Sequence, residues 1–71
     1  MKRGQEISVT ITKTHRGHNW TGLSEDRATS EIFREGETYS GFLYYNHGDI
    51  LTIKTFGGNI IIVDFKSLTV N

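Results

Sequence analysis

The sequence predicts an all-β domain, a small five- or six-stranded antiparallel barrel or sandwich. Three observations carry that expectation. Ile7, Val9 and Ile11 alternate with Ser8, Thr10 and Thr12, the period-two pattern of a half-buried strand. Gly57-Gly58 separates two β-rich runs, as in a two-residue primed-turn hairpin. Ile60-Ile61-Ile62-Val63 is apolar without alternation, the mark of a strand buried on both faces. In a chain of 71 residues, such burial calls for a closed barrel or a neighbouring subunit. Left exposed, the run would invite aggregation.

The elements are arranged in order along a single β domain, residues 1–71. Residues 6–13 form the first strand. His15-Arg16-Gly17-His18-Asn19 reads as a turn, with Gly17 free to take a positive φ. Trp20 to Leu23 forms a short second strand. Residues 24–35 read as a loop with at most one short helical turn. Ser24 would cap that turn, with Glu25 and Asp26 at its positive end, but Thr29 and Ser30 are weak helix formers. From Thr38 onward the pattern is β. Tyr39, Gly41, Leu43 and Tyr45 are expected on one face, and Ser40, Phe42 and Tyr44 on the other. Asn46-His47-Gly48-Asp49 is a turn. Ile50–Phe56 and Asn59–Phe65 are the hairpin strands, and Ser67–Val70 is a last short strand. No proline interrupts the series.

Composition bounds the function. Without Cys there is no disulfide, thiolate metal site or Cys nucleophile, which fits a cytoplasmic protein. Eight Lys and Arg balance eight Asp and Glu, so no general attraction to nucleic acid is expected. The charges are segregated: residues 1–20 hold four basic and one acidic side chain, residues 21–37 two basic and five acidic. That is either ordinary solvated surface or a dipolar protomer suited to a copy of itself or a charged partner. No apolar run is long enough for a membrane span. The N-terminus lacks the apolar core of a secretory signal.

Catalytic and metal chemistry is expected to be absent. His15-x-x-His18 with His47 could offer imidazoles to zinc or nickel, but on a turn they read as solvated polar residues. Glu31 with Glu35, or Asp49 with Asp64, would need a cleft to drive their pKa values apart. Ser24, Ser30 and Ser40 lack a nucleophile setting. Gly57-Gly58 precedes a strand rather than a phosphate-binding helix. No cofactor is expected. Phe42, Tyr44, Tyr45, Phe56 and Trp20 fill the core or stack bases beside basic neighbours. Trp20 is the leading candidate for binding, because it comes after the basic turn and Trp is enriched at hot spots.

The chain resembles two families. Phe33-Arg34-Glu35-Gly36-Glu37-Thr38-Tyr39, then Asp49 to Thr55, Gly58, Ile60 to Asp64 and Ser67 to Val70, resemble the small Src-homology-3-type barrels common among bacteriophage proteins. The resemblance covers residues 33–70 and implies architecture, since this barrel hosts many functions. Gly22-Leu23-Ser24, Ser30-Glu31, Gly36-Glu37 and Ile53-Lys54-Thr55-Phe56-Gly57 are similar in order to the tryptophan-responsive RNA-binding attenuation protein, over about residues 17–62. That family implies a β ring binding RNA and tryptophan. Lys54 keeps one of its basic positions, but Ile32 and Phe56 replace two others and the loop after Leu23 is shorter. A ring could survive these changes, but the family's RNA mode would not.

The sequence therefore points to a non-catalytic binding module, a small regulatory or inhibitor protein like those of phages. It would act in the cytoplasm (the host's, if phage-encoded) and dock on a protein partner. Trp20, Arg16 and His18 would carry the contact, with the 24–35 segment. The alternative is a homo-oligomeric β ring that binds RNA, or that sequesters a nucleotide-like or amino-acid ligand between subunits. Arg16, Arg27 and Arg34 would then hold phosphate, with Tyr44 and Lys54 available to RNA.

Overall fold

The computed structural model describes residues 2–20 and 29–71. They form seven strands: β1 (Glu6–Ile11), β2 (His15–Trp20), β3 (Thr29–Phe33), β4 (Thr38–His47), β5 (Ile50–Thr55), β6 (Ile60–Asp64) and β7 (Leu68–Val70). All pair antiparallel in one sheet, in the order β3-β2-β6-β5-β4-β1-β7. The all-β antiparallel expectation holds. The strand count is seven rather than five or six, and the sheet stays open, with β3 and β7 as its edges.

The extra strands come from segments read as irregular. His15–Asn19 is not a turn: Asn19 pairs with Ile61 and His18 with Ile62 on one side, and the whole segment pairs with β3 on the other. Its polar side chains at 16 and 18 are exposed, so they give no apolar alternation to detect. Gly17 serves close approach rather than positive φ. A Cβ there would meet the Ile62 carbonyl oxygen and, at 2.7 Å, the Phe33 ring. Within the 24–35 stretch, Thr29–Phe33 is a strand. Residues 24–28 and 21–23 lie outside the described residues.

Both tight turns differ in detail from the glycine reading. β4 and β5 join through Gly48-Asp49, with His47 opposite Ile50. Gly48 has φ of 59° at the first central position, as a primed hairpin turn requires. The β5–β6 connection instead has three residues. The Gly58 N–H donates to Thr55 O (2.9 Å) and the Thr55 N–H to Asn59 O (2.7 Å). Gly58 alone takes positive φ, the type I turn plus glycine bulge of three-residue hairpins.

One concave face collects Ile7, Val9 and Ile11 of β1, Phe33 of β3, Leu43 of β4, Leu51 and Ile53 of β5, and Ile61 and Val63 of β6. Strands β1 and β3, far apart in sheet order, share this core because the sheet curls. The radius of gyration, 11.1 Å, matches the ~11 Å expected of a compact chain of this length. The end of β1 is tied to the β3–β4 turn and to the segment before β7 by backbone bonds: Ile11 N–H to Glu37 O, Gly36 N–H to Ile11 O, and Thr12 N–H to Ser67 O, each 2.8 Å. After β6 the chain makes a 3-10 turn (Phe65–Ser67) capped by Asp64. That turn carries the chain to the far edge, where β7 pairs with β1.

This geometry corrects the expectation for Ile60–Val63. The run is central, between β2 and β5. Its inner residues are buried by the sheet's own curl, so closure into a barrel is not required. The alternation expected along β4 also fails at one point. A β-bulge between Leu43 and Tyr45 adds a residue and reverses the facing of the later residues of the strand. Tyr45 therefore pairs with Thr52 and points outward, away from Leu43.

Gly17→Ala is expected to lower unfolding free energy by about 2–3 kcal/mol, because the added methyl meets backbone and a buried ring. Gly57→Ala, whose Cβ would meet nothing nearer than Thr55 Oγ1 at 3.8 Å, should change stability by less than about 0.5 kcal/mol. Urea unfolding of the two variants checks the contrast.

Candidate binding face

The outer, convex face of the sheet divides into two chemically different halves. Around β7, β1 and the first part of β4 it is a ladder of hydroxyls and amides. Thr10 Oγ1 lies 3.2 Å from Thr38 Oγ1, Ser40 Oγ donates to Ser8 Oγ (3.1 Å), and Asn71 Nδ2 donates to Ser8 and Thr10 (3.2 and 3.0 Å). This is the solvated outer side expected of an antiparallel sheet.

Across β2, β6, β5 and the second part of β4 the same face sets exposed aromatic and aliphatic side chains among charged and polar ones. The register aligns Trp20, Ile60, Lys54 and Phe42 in one row and His18, Ile62, Thr52 and Tyr45 in the next. Beyond them Ile50 sits opposite Asp64 and His47. Tyr45 is 54% exposed, Ile50 48% and Phe42 43%. Phe56, 60% exposed at the hairpin turn, packs edge-on against Phe42 at 5.3 Å. The Tyr45 ring stacks on His47 at 5.8 Å.

A shallow groove of about 230 Å³ runs between the first half of β2 and the start of β5. β6 forms its floor with Ile62 and Val63; Arg16 and His18 form one wall, and Ile50 and Asp49 the other. Arg16 Nη1 donates to Ser30 Oγ at 2.8 Å, which holds the guanidinium over the rim. At the groove's end, Asp64 accepts from Ser67 Oγ (2.8 Å) and the Lys66 N–H (3.2 Å). The Ser67 hydroxyl is the main reason its carboxyl titrates below the ordinary range. Burial opposes this, and the Lys66 amide and, more weakly, the Lys66 ammonium add to it.

The structure brings four of the expected residues together. Arg16, His18 and Trp20 are alternate residues of β2 and share the outer face, with Lys54 two strands away in the Trp20 row. Tyr44 stands apart at the bulge, where the Arg3 guanidinium lies 5.1 Å from its ring centre. Arg34 is exposed past the end of β3, in the turn where its N–H donates to Glu37 Oε1 (2.9 Å). The same oxygen accepts from Tyr39 Oη (2.8 Å). These two bonds hold the Glu37 carboxyl below its usual range, while burial and then Glu37 push Tyr39 up to about 12. Arg27 lies outside the described residues.

His15 and His18 sit three apart on one strand and so face opposite sides. His15 stacks on Phe33 at 5.8 Å. Its Nε2 accepts the Asp64 N–H (3.1 Å), so Nδ1 carries the proton and donates to Lys13 O (2.9 Å). Ile50, Ile62 and Asp49 were not among the binding residues expected from sequence, and Tyr45, offered there as a core or base-stacking aromatic, was expected on the Leu43 face. The unbroken apolar run at 60–63 held the signal for Ile62, but the bulge concealed Tyr45.

No protein-family model, curated protein or solved structure matches this chain. No helix among the described residues is long and apolar enough to cross a membrane.

Asp64 also yields a pH prediction. A carboxyl held below its unfolded value stabilises the fold above that value, and the gain is lost as pH falls through the depressed folded value. Asp64→Asn should therefore lower stability at pH 7 and diminish the loss seen between about pH 4 and pH 2. Urea midpoints across that range test it, and an unchanged acid limb would contradict it.

Proposed function

We propose that this chain is a non-catalytic binding module, a small regulatory or inhibitor protein that docks on another protein through the apolar half of its outer face. One observation carries the reading: within a single sheet, one half of the outer face is hydroxyl and amide, while the other exposes Tyr45, Ile50 and Phe42. Contiguous exposed apolar surface edged by polar groups is characteristic of interaction sites. Trp20, Arg16 and His18 lie on the same face, and aromatics and Arg are the types enriched at binding hot spots.

Other features favour this reading over catalysis. The groove is shallow, and the carboxylates of Asp64 and Glu37 are already engaged by hydrogen bonds within the chain. Against a nucleic-acid role, Arg16 and Lys54 share the face with Glu6, Asp49 and Asp64. A phosphate-binding surface gathers cations without such neighbours.

Incorporating a photo-crosslinker at position 45, and separately at Thr69 on the polar side, tests the proposal in cells of the native source. Position 45 should give a protein adduct of defined mass that position 69 does not. Adding Ile50→Glu should abolish it, since introducing a charge at an apolar contact costs about 2 kcal/mol or more. Equal labelling from both positions, or labelling of RNA alone from position 45, would overturn it.

A further inference from the structure

Resting on this docking reading, we propose that a second copy of the chain occupies the face when no other protein does, related by a two-fold axis running along β6. The charges across the groove are the reason. The β2 wall carries Arg16 and His18, and the β5 wall carries Asp49 and Ile50. An axis along β6 lays the β2 wall of one protomer over the β5 wall of the other. Ile62 and Asp64 then each meet their own counterparts, and Arg16, level with Asp64 and Ile50, comes beside both the paired Asp64 carboxylates and the partner's Asp49, whose charge it offsets. The aliphatic stem of Arg16 covers the partner's Ile50, a contact such side chains make readily. On the other side of the Ile62 row, Trp20 comes opposite the partner's Lys54, the pairing of an aromatic ring with a cation. Each half of the face thus supplies what the other lacks, as a closed two-fold interface demands.

Three further features favour a copy over a different occupant. The chain has eight basic and eight acidic side chains, so two copies do not repel at long range. The Asp49 carboxylate is paired with Lys66, at 3.5 Å and with both side chains largely exposed, a pairing easily exchanged. Association through the sheet edges is opposed. Edge strand β3 carries Glu31 toward the inner side, where it accepts from Asn19 Nδ2 at 3.1 Å, and β7 has three residues. Inward charges and short strands discourage edge pairing, which leaves the face.

Sedimentation equilibrium of the intact chain over a wide concentration range is the test. The mass should rise from 8.1 kDa toward twice that value. Arg16→Glu and Asp49→Lys should each weaken dimerisation about tenfold, and the double variant should restore it. Ile50→Glu, at an exposed position, should abolish the dimer without altering the circular dichroism spectrum. A monomer at every concentration would overturn the proposal, while crosslinks from position 45 to a different protein would still uphold docking. A dimer insensitive to Ile50→Glu would overturn the assignment to this face. A double variant no tighter than the singles would overturn the axis along β6.

Discussion

The structure depends on Phe33 closing the core from an edge strand. A single open sheet of this size has one apolar face and nothing to lay on it. The sheet solves this by curling until β3 reaches back toward β4. Phe33, fully buried, sits at that meeting point, edge-on to Tyr39 at 5.4 Å and stacked with His15 at 5.8 Å. Burying a phenylalanine this completely contributes about 3 kcal/mol, a sizeable share of the ~5–15 kcal/mol that holds a domain folded. The ring needs space on β2, and the missing side chain of Gly17 provides it. The hydrogen bonds at the end of β1, through Ile11, Glu37 and Ser67, then fix the geometry that Phe33 fills.

The outer face is set by the same constraint. With all the large aliphatics of β1 turned inward, the convex side of β1 and β7 can be polar throughout. The convex side of β5 and β6 cannot, because those strands carry apolar residues in both directions. β6 buries Ile61 and Val63 inside and turns Ile60, itself buried, and half-buried Ile62 to the outer side. The bulge after Leu43 adds Tyr45 to that side. Function is therefore inferred from a surplus: apolar side chains that the small core does not need, gathered beside Arg16 and Asp49 of opposite charge.

Much of this was legible in the residues. The alternation at 6–11 identified β1, and the glycine-separated apolar runs identified β5 and β6. Ile60–Val63 showed that something had to cover both sides of that strand. What could not be read was β2. Its exposed residues are polar, and its inner ones are His15, Gly17 and Asn19, so it has no apolar period. Gly17 looked like a turn glycine because sequence does not distinguish positive φ from close approach. Likewise, Gly48 rather than Gly57 takes the positive φ at the head of a two-residue turn. For the candidate site, Arg16, His18, Trp20 and Lys54 were recognisable as residue types. Their union with Ile50, Ile62 and Tyr45 required the register and the bulge, which are long-range properties of the pairing.

The most direct test of this architecture is the set of proton–proton contacts around Phe33 in solution. Nuclear Overhauser spectra should show its ring protons close to a Gly17 Hα and to the Tyr39 ring, together with cross-strand contacts between His18 and Ile62. Absence of the Phe33–Gly17 and Phe33–Tyr39 contacts, with sequential amide contacts of a turn through residues 15–19, would contradict it.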